Sequence, residues 1–208
     1  MGNRLSKIYT RTGDDGSTGM ADGSRMSKAD SLFSVMGDID ELNSHIGLVR
    51  AHLAQIANDQ GLPQRLQEHK EIDFTQVLII IQHLLFNIGG ELAMPEYEGI
   101  NADHVSWLEQ QIDAMNNHLP PLKDFILPTG SVLVSQLHVA RTVCRRSERQ
   151  AVMLQQQRAQ AIRPTAVSFI NRLSDWLFVA ARFCTDPAQV SEVLWNNQVL
   201  QDLKIDKQ

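Results

Sequence analysis

The stretch Ser31-Leu-Phe-Ser-Val-Met-Gly-Asp-Ile-Asp-Glu-Leu-Asn-Ser-His-Ile-Gly-Leu-Val-Arg-Ala-His-Leu-Ala-Gln-Ile-Ala57 decides the fold class. Its apolar residues Leu32, Val35, Met36, Ile39, Leu42, Ile46, Val49, Leu53 and Ile56 recur at spacings of three and four. One side of a 3.6-residue helix is therefore apolar along its whole length, as a helix packed on other helices requires.

Working outward, residues 60–74 hold Gly61, Pro63 and many charges and read as a polar connection. A second helix is expected from about Thr75 to Ala93, ended by Pro95 and Gly99. Asn101 is a good N-cap for a third, which presents Val105, Leu108, Ile112, Met115 and Leu119 until Pro120 and Pro121 stop it. Phe125-Ile126-Leu127-Pro128-Thr129-Gly130 is an extended apolar segment closed by a turn. A fourth helix runs from about Ser131 toward Gln160, and Pro164 sits where the first turn of a fifth belongs. Val167, Ile170, Leu173, Trp176, Leu177, Ala180 and Phe183 form its buried stripe, and Asp186-Pro187 breaks it.

Almost no segment alternates with period two, so the expected class is all-α, an antiparallel helical bundle. Residues 1–30 form an N-terminal glycine-rich loop of the same domain, 31–186 the bundle, and 187–208 a short amphipathic tail containing Val190, Val193, Leu194 and Trp195.

The chain of 208 residues can bury a core without disulfides. Its net charge of −5 argues against nonspecific nucleic-acid binding. Cys144 and Cys184 lie in apolar helical patterns and read as small buried hydrophobes, which suits a reducing cytoplasm. No stretch approaches the roughly 18 to 20 apolar residues of a membrane span, so neither membrane nor nucleic acid is an expected partner.

Against the negative total, Arg141, Arg145, Arg146 and Arg149 crowd into nine residues of the fourth helix. Arg141, Arg145 and Arg149 repeat every fourth residue and share one face, with Arg146 about a quarter turn away. Guanidiniums this close repel one another, and a polyphosphate is the natural compensating ligand. The alternative is a solvated surface laced by Glu148.

Thr10-Arg11-Thr12-Gly13-Asp14-Asp15-Gly16-Ser17-Thr18-Gly19 offers hydroxyls, a guanidinium and permissive backbone N–H groups suited to a phosphate chain. It lacks the spacing of a P-loop, and a flexible arm is the alternative. Lys28 at its end meets a phosphate or is solvated. Asp40 and Glu41 interrupt the first helix's apolar pattern and call for a cation, which an arginine of the fourth helix would supply. Asn171, Arg172 and Asp175 form a second polar island. No Glu-x-x-His occurs, which argues against a di-iron centre, and the seven histidines are scattered.

Together Lys7 to Gly16, Asp38-Ile39-Asp40-Glu41-Leu42-Asn43, Phe125 to Gly130, Arg141 to Arg149, and Asn171-Arg172-Leu173-Ser174-Asp175 resemble the PduO-type ATP:cob(I)alamin adenosyltransferases. The motifs stand in the family's order across residues 4–184. The resemblance implies a five-helix bundle, a homotrimer with active sites between subunits, and synthesis of adenosylcobalamin from cobalamin and ATP with Mg²⁺. It assigns Thr10, Arg11, Thr12, Gly13, Thr18, Gly19 and Lys28 to the nucleotide, with Arg145, Arg146, Glu148, Arg149 and Asn171. It implies a salt bridge of Asp40 with Arg141 across the subunit interface, and Phe125 keeping the lower axial ligand off cobalt. No residue is assigned as a direct metal ligand. An electron-donating reductase and an adenosylcobalamin-dependent enzyme are the further partners implied. Thr129 departs from the family's usual glycine or serine, and the 58–74 connection is long. The competing function is a cobalamin or ATP carrier or sensor that does not turn over.

Overall fold

The computed structural model describes residues 8–185 and 192–201. Lys7, the Asp186-Pro187 break and Val190 lie outside them. Helices α1 (Ser31–Asp59), α3 (Phe74–Ala93), α4 (Ala102–Asn116), α5 (Val132–Gln157) and α6 (Pro164–Phe183) form the five long helices of the bundle. Two short helices, α2 (Gln64–Glu68) and α7 (Gln198–Gln201), complete the helical set among the described residues. The 60–74 connection thus contains a helical turn, secured because Leu66 is buried.

Helix starts follow local chemistry. Asp30 accepts from the Leu32 N–H, Asp73 from Gln76, and Ser131 from Val134, which satisfies amides that have no partner inside the helix. Asn101 and His104 cap each other reciprocally, and Pro164 opens α6. Helix α4 ends at Asn116, earlier than the expected limit near Leu119.

Helix α5 packs against both α1 and α6; α3 adds to α1, and α4 adds to α6. The core joins Leu42, Ile46, Leu78, Ile81, Leu85, Leu137, Phe169 and Leu177, all fully buried. Each such side chain stabilises the fold by about 1.5–3 kcal/mol. Trp176 stacks on Phe74 at 5.4 Å, fastening α6 to the start of α3. Helix α3 is long and apolar enough to cross a bilayer, which corrects the expectation that no such stretch exists. Its Leu78, Ile81, Leu85 and Ile88 are nevertheless buried in the core, and the helix packs against α1.

The glycine-rich segment departs from a plain loop. Strands β1 (Ser17–Gly19) and β2 (Arg25–Ser27) pair antiparallel, Thr18 opposite Met26. Three-residue strands are too short for alternation to reveal them, and Gly23 supplies the turn's positive φ of 86°. In the described part of the tail, Ile126 and Leu194 form an antiparallel bridge, while Val193, Leu194 and Trp195 stay exposed.

Candidate active site

Small side chains set the geometry around the arginines. Ala140, Cys144, Ser147 and Ala151 are fully buried along one face of α5 and let α1 and α6 approach closely. The Cys144 thiol donates to the Ile170 carbonyl at 3.2 Å, and burial pushes its pKa far up, so it is an inert packing group. The Ser147 hydroxyl lies 3.1 Å from the Asp38 carbonyl of α1 and the same distance from that of Val143. With this face inward, Arg145 and Arg149 must point outward.

Arg145, Glu148, Arg149, Val152, Met153 and Asn171 line a surface groove of about 500 Å³. This brings together four of the residues singled out in the sequence. A chain of hydrogen bonds holds the groove's far wall. Glu109 accepts from Arg172 Nε at 2.7 Å, Arg172 Nη1 donates to Asn171 Oδ1 at 2.7 Å, and Asn171 Nδ2 donates to Glu148 Oε1 at 2.7 Å. Because Arg172 takes the amide oxygen, the Asn171 NH₂ is obliged to face Glu148. Burial raises the Asp175 carboxyl above its ordinary pKa, against the pull of Arg172 and Arg145. Glu109 escaped the sequence reading because α4 meets α6 only in the fold.

The other arginines divide. Arg146 turns to α1, where it pairs with Asp38 at 3.2 Å and with Glu41. The expected cation for Glu41 is therefore Arg146, and within one chain Arg146 is engaged away from the groove. Arg149 Nη1 donates back to the Arg145 carbonyl at 3.0 Å. Arg141 is half-buried and its Nε donates to His138 Nδ1 at 3.4 Å. Among the described residues Asp40 has no ion pair; it is exposed beside Met36, Leu85 and Phe86, between α1 and α3.

At the N-terminus, Lys28 Nζ donates to the Gly13 carbonyl at 2.7 Å, and Thr10 and Thr12 join hydroxyls at 2.8 Å. A Cβ at Gly13 would stand 2.9 Å from that ammonium nitrogen and 3.1 Å from the Ser17 carbonyl oxygen, so a side chain there would displace the flexible Lys28 end and press on the Ser17 backbone. Arg11 adopts a positive φ of 61° with its guanidinium over Tyr9. Arg25, unnoticed in the sequence, donates to the Thr12 carbonyl at 2.5 Å and to Ser17 Oγ. Thr18 and Gly19 lie in β1.

This loop is moored at the far end of α5. Arg158 pairs with Asp30 at 2.6 Å, and Ser31 donates to Gln157 at 2.9 Å. Arg158 lies thirteen residues beyond Arg145, about 20 Å along the helix. Among the described residues, none of the loop lines the arginine groove. Phe125 is 81% exposed; its carbonyl accepts from the Trp195 N–H at 2.7 Å, and Leu127 N–H donates to Val193 at 2.8 Å. Exposed Phe125, Leu127, Val193, Leu194 and Trp195 thus fall on two adjoining segments.

The family model described as cobalamin adenosyltransferase matches residues 8–184. The chain belongs to the cobalamin adenosyltransferase family. A cobalamin adenosyltransferase of Cupriavidus metallidurans is 44% identical over 198 residues, spanning 95% of this chain and 98% of that one. The corrinoid adenosyltransferase of Bacillus subtilis is 39% identical, spanning 93% of this chain and 94% of its own. A variant PduO-type ATP:corrinoid adenosyltransferase from Lactobacillus reuteri, complexed with cobalamin and ATP and carrying a phenylalanine-to-alanine change, has a similar structure. Its TM-score is 0.78 at 36% identity, covering 92% of this chain and 100% of that chain. An arginine-to-lysine variant of that Lactobacillus enzyme, complexed with ATP, gives 0.76 at 35% identity, covering 91% and 100%.

One buried group beside Arg141 gives this family member a pH-dependent fold. Burial, and then the Arg141 charge, push His138 down to about 4. Between its ordinary value of 6.5 and that folded value, only the unfolded chain binds the proton, so stability falls as pH drops through this window. From pH 6.5 to 5 the loss from this residue is at most about 2 kcal/mol. Urea unfolding should show that acid loss reduced in His138→Leu; an unaltered difference between pH 6.5 and 5 would remove His138 as its source.

Proposed function

We propose that this chain transfers the 5′-deoxyadenosyl group of ATP to cob(I)alamin, forming adenosylcobalamin and releasing triphosphate. The observation that carries this reading is the groove in which exposed Arg145 stands beside a Glu148–Asn171 pair locked by Arg172. That is a preset cationic site for a polyphosphate leaving group, in a chain of this family.

In the reaction the cobalt(I) electron pair attacks C5′ of the ribose. The new cobalt–carbon bond forms as the carbon–oxygen bond breaks, and the departing pair remains on triphosphate. No protein nucleophile takes part. The protein's work is to align the two substrates and to stabilise charge growing on the leaving group. Arg145 contacts triphosphate oxygens, with Arg149 adding positive charge and Arg146 released from α1 when it does likewise. Asn171 and Glu148 hold the nucleotide's orientation. Thr10, Arg11, Thr12, Gly13, Thr18, Gly19 and Lys28 wrap ATP from the loop side.

The donor set suits Mg²⁺: Glu148 is a hard oxygen donor with only Oε1 engaged by Asn171. Held by Glu148 through water, the ion would neutralise part of the triphosphate charge. Exposed Phe125, with Leu127 and the 193–195 segment, supplies an apolar wall that keeps the axial base from cobalt. Removing that donor eases reduction to cob(I)alamin, for which a separate reductase supplies the electron.

The assembly we propose is a homotrimer. What supports it is the separation of loop and groove within one chain, and the apolar surface beside Asp40, where Phe86 is 77% exposed. A neighbouring copy brings its loop to the groove, and Asp40 of one subunit pairs with the half-buried Arg141 of the next. A cytoplasmic setting and delivery of product to an adenosylcobalamin-dependent enzyme complete the reading.

The test is an anaerobic assay with chemically reduced cob(I)alamin, ATP and Mg²⁺, following loss of the cob(I)alamin absorbance and formation of a light-sensitive product. Binding of both substrates without turnover would instead indicate a carrier or sensor. Arg145→Ala should lower kcat/KM for ATP at least tenfold, about 1.4 kcal/mol of transition-state stabilisation; unchanged kinetics would sink its assignment. Arg172→Ala, which frees the Asn171 amide to flip, should raise KM for ATP about fivefold, the worth of one hydrogen bond of ~1 kcal/mol. A KM equal to wild type would show that Arg172 does not set that orientation.

A further inference from the structure

At the end of the bundle remote in sequence from the arginine helix, the 60–73 connection meets the end of α4. His69 leaves α2 as its C-cap with φ −111° and ψ 62°. The Ile72 N–H returns to the His69 carbonyl at 3.0 Å, a turn that folds Glu71 back beside the imidazole. Its Oε1 lies 3.2 Å from His69 Nδ1. His118, just beyond the Asn117 cap of α4, lays its ring on His69 with centroids 3.7 Å apart and planes 27° apart. Phe183, fully buried, closes the inner side at 5.9 Å from His69 and 6.5 Å from His118.

We propose that His69, Glu71 and His118 form a binding site for a divalent transition metal of the Zn²⁺ type. One donor atom from each residue lies within 4.8 Å of the other two. Two donors on a tetrahedral Zn²⁺, with bonds of about 2.0–2.2 Å, stand roughly 3.4 Å apart. The His69–Glu71 edge, 3.2 Å, is already near that length, and the remaining edges are no longer than 4.8 Å, so each closes by at most about 1.4 Å. Imidazole lone pairs lie in the ring plane, so His118 must turn its ring edge inward from the stack. Its exposure permits that rotation. Two imidazoles and a carboxylate favour Zn²⁺, Co²⁺ or Ni²⁺ over Mg²⁺, which prefers oxygen and retains water.

An ion pair alone is a poor account of the cluster. Glu71 is 65% exposed, where a His–Glu contact contributes little, and such a contact does not require a second imidazole. The site uses neither ATP nor corrinoid residues, and its role is mechanical. It clips the 60–73 connection to the segment entering Pro120 and Phe125, joining residues 47 positions apart in sequence. A metal bound only by the folded chain raises the unfolding midpoint.

The experiment uses the full chain without nucleotide or corrinoid and adds Zn²⁺ alone, reading stoichiometry by calorimetry and the thermal midpoint. Wild type should bind one equivalent more than His118→Ala and gain at least about 2 °C, a gain the variant loses. Co²⁺ should give wild type a four-coordinate visible spectrum that both His118→Ala and Glu71→Gln weaken. His118 and Glu71 are exposed, and circular dichroism of each variant checks its fold. Equal Zn²⁺ stoichiometry and equal midpoint gain in wild type and His118→Ala, or an equal gain from Mg²⁺, would overturn the proposal.

Discussion

Close approach of α1 and α6 to α5 is the constraint on which the site depends. It rests on Ala140, Cys144, Ser147 and Ala151, whose small side chains leave room for both neighbours. A larger residue at any of these would have to displace a helix, because interiors at crystal-like density have no slack. The same contact puts Asn171 of α6 within 2.7 Å of Glu148 of α5, and Asp38 of α1 within reach of Arg146. Packing of uncharged residues thus positions the charged ones.

Charge is then partitioned rather than pooled. Four arginines within nine residues repel one another, and the fold relieves that by separate means. Arg146 is answered by two carboxylates of α1, and Arg141 abuts a histidine that burial keeps neutral. Arg145 remains exposed at a groove whose opposite wall is held by the Glu109–Arg172–Asn171–Glu148 chain. Preorganisation of this kind matters because donors already aimed at a developing charge need no reorganisation during reaction.

The N-terminal segment follows another logic. Its hairpin is tied by Arg25, Lys28 and the Gly13 crossing, and moored by Asp30 to Arg158, far from Arg145. Met20 and Met26 pack against the core, while most other described residues of the segment are exposed. Phe86 and Phe125 also stand exposed, outside the core.

Apolar spacing in residues 31–57 and 164–183, with Asn101 and Pro164 as start signals, was enough to determine the helices and the bundle, because helical periodicity and capping are local. The motifs from Lys7 to Asp175 likewise point to the family, since each is a short contiguous pattern. Three-residue strands, the turn in 64–68 and the pairing of 125–127 with 193–195 were illegible, being too short to carry a period or dependent on distant backbone. Only tertiary structure could send Arg146 to Glu41, bring Glu109 to Arg172, and stack His69 on His118. Those partners are far apart in sequence, and nothing local encodes which helix faces meet. That choice is made by the volumes of the side chains packed between them.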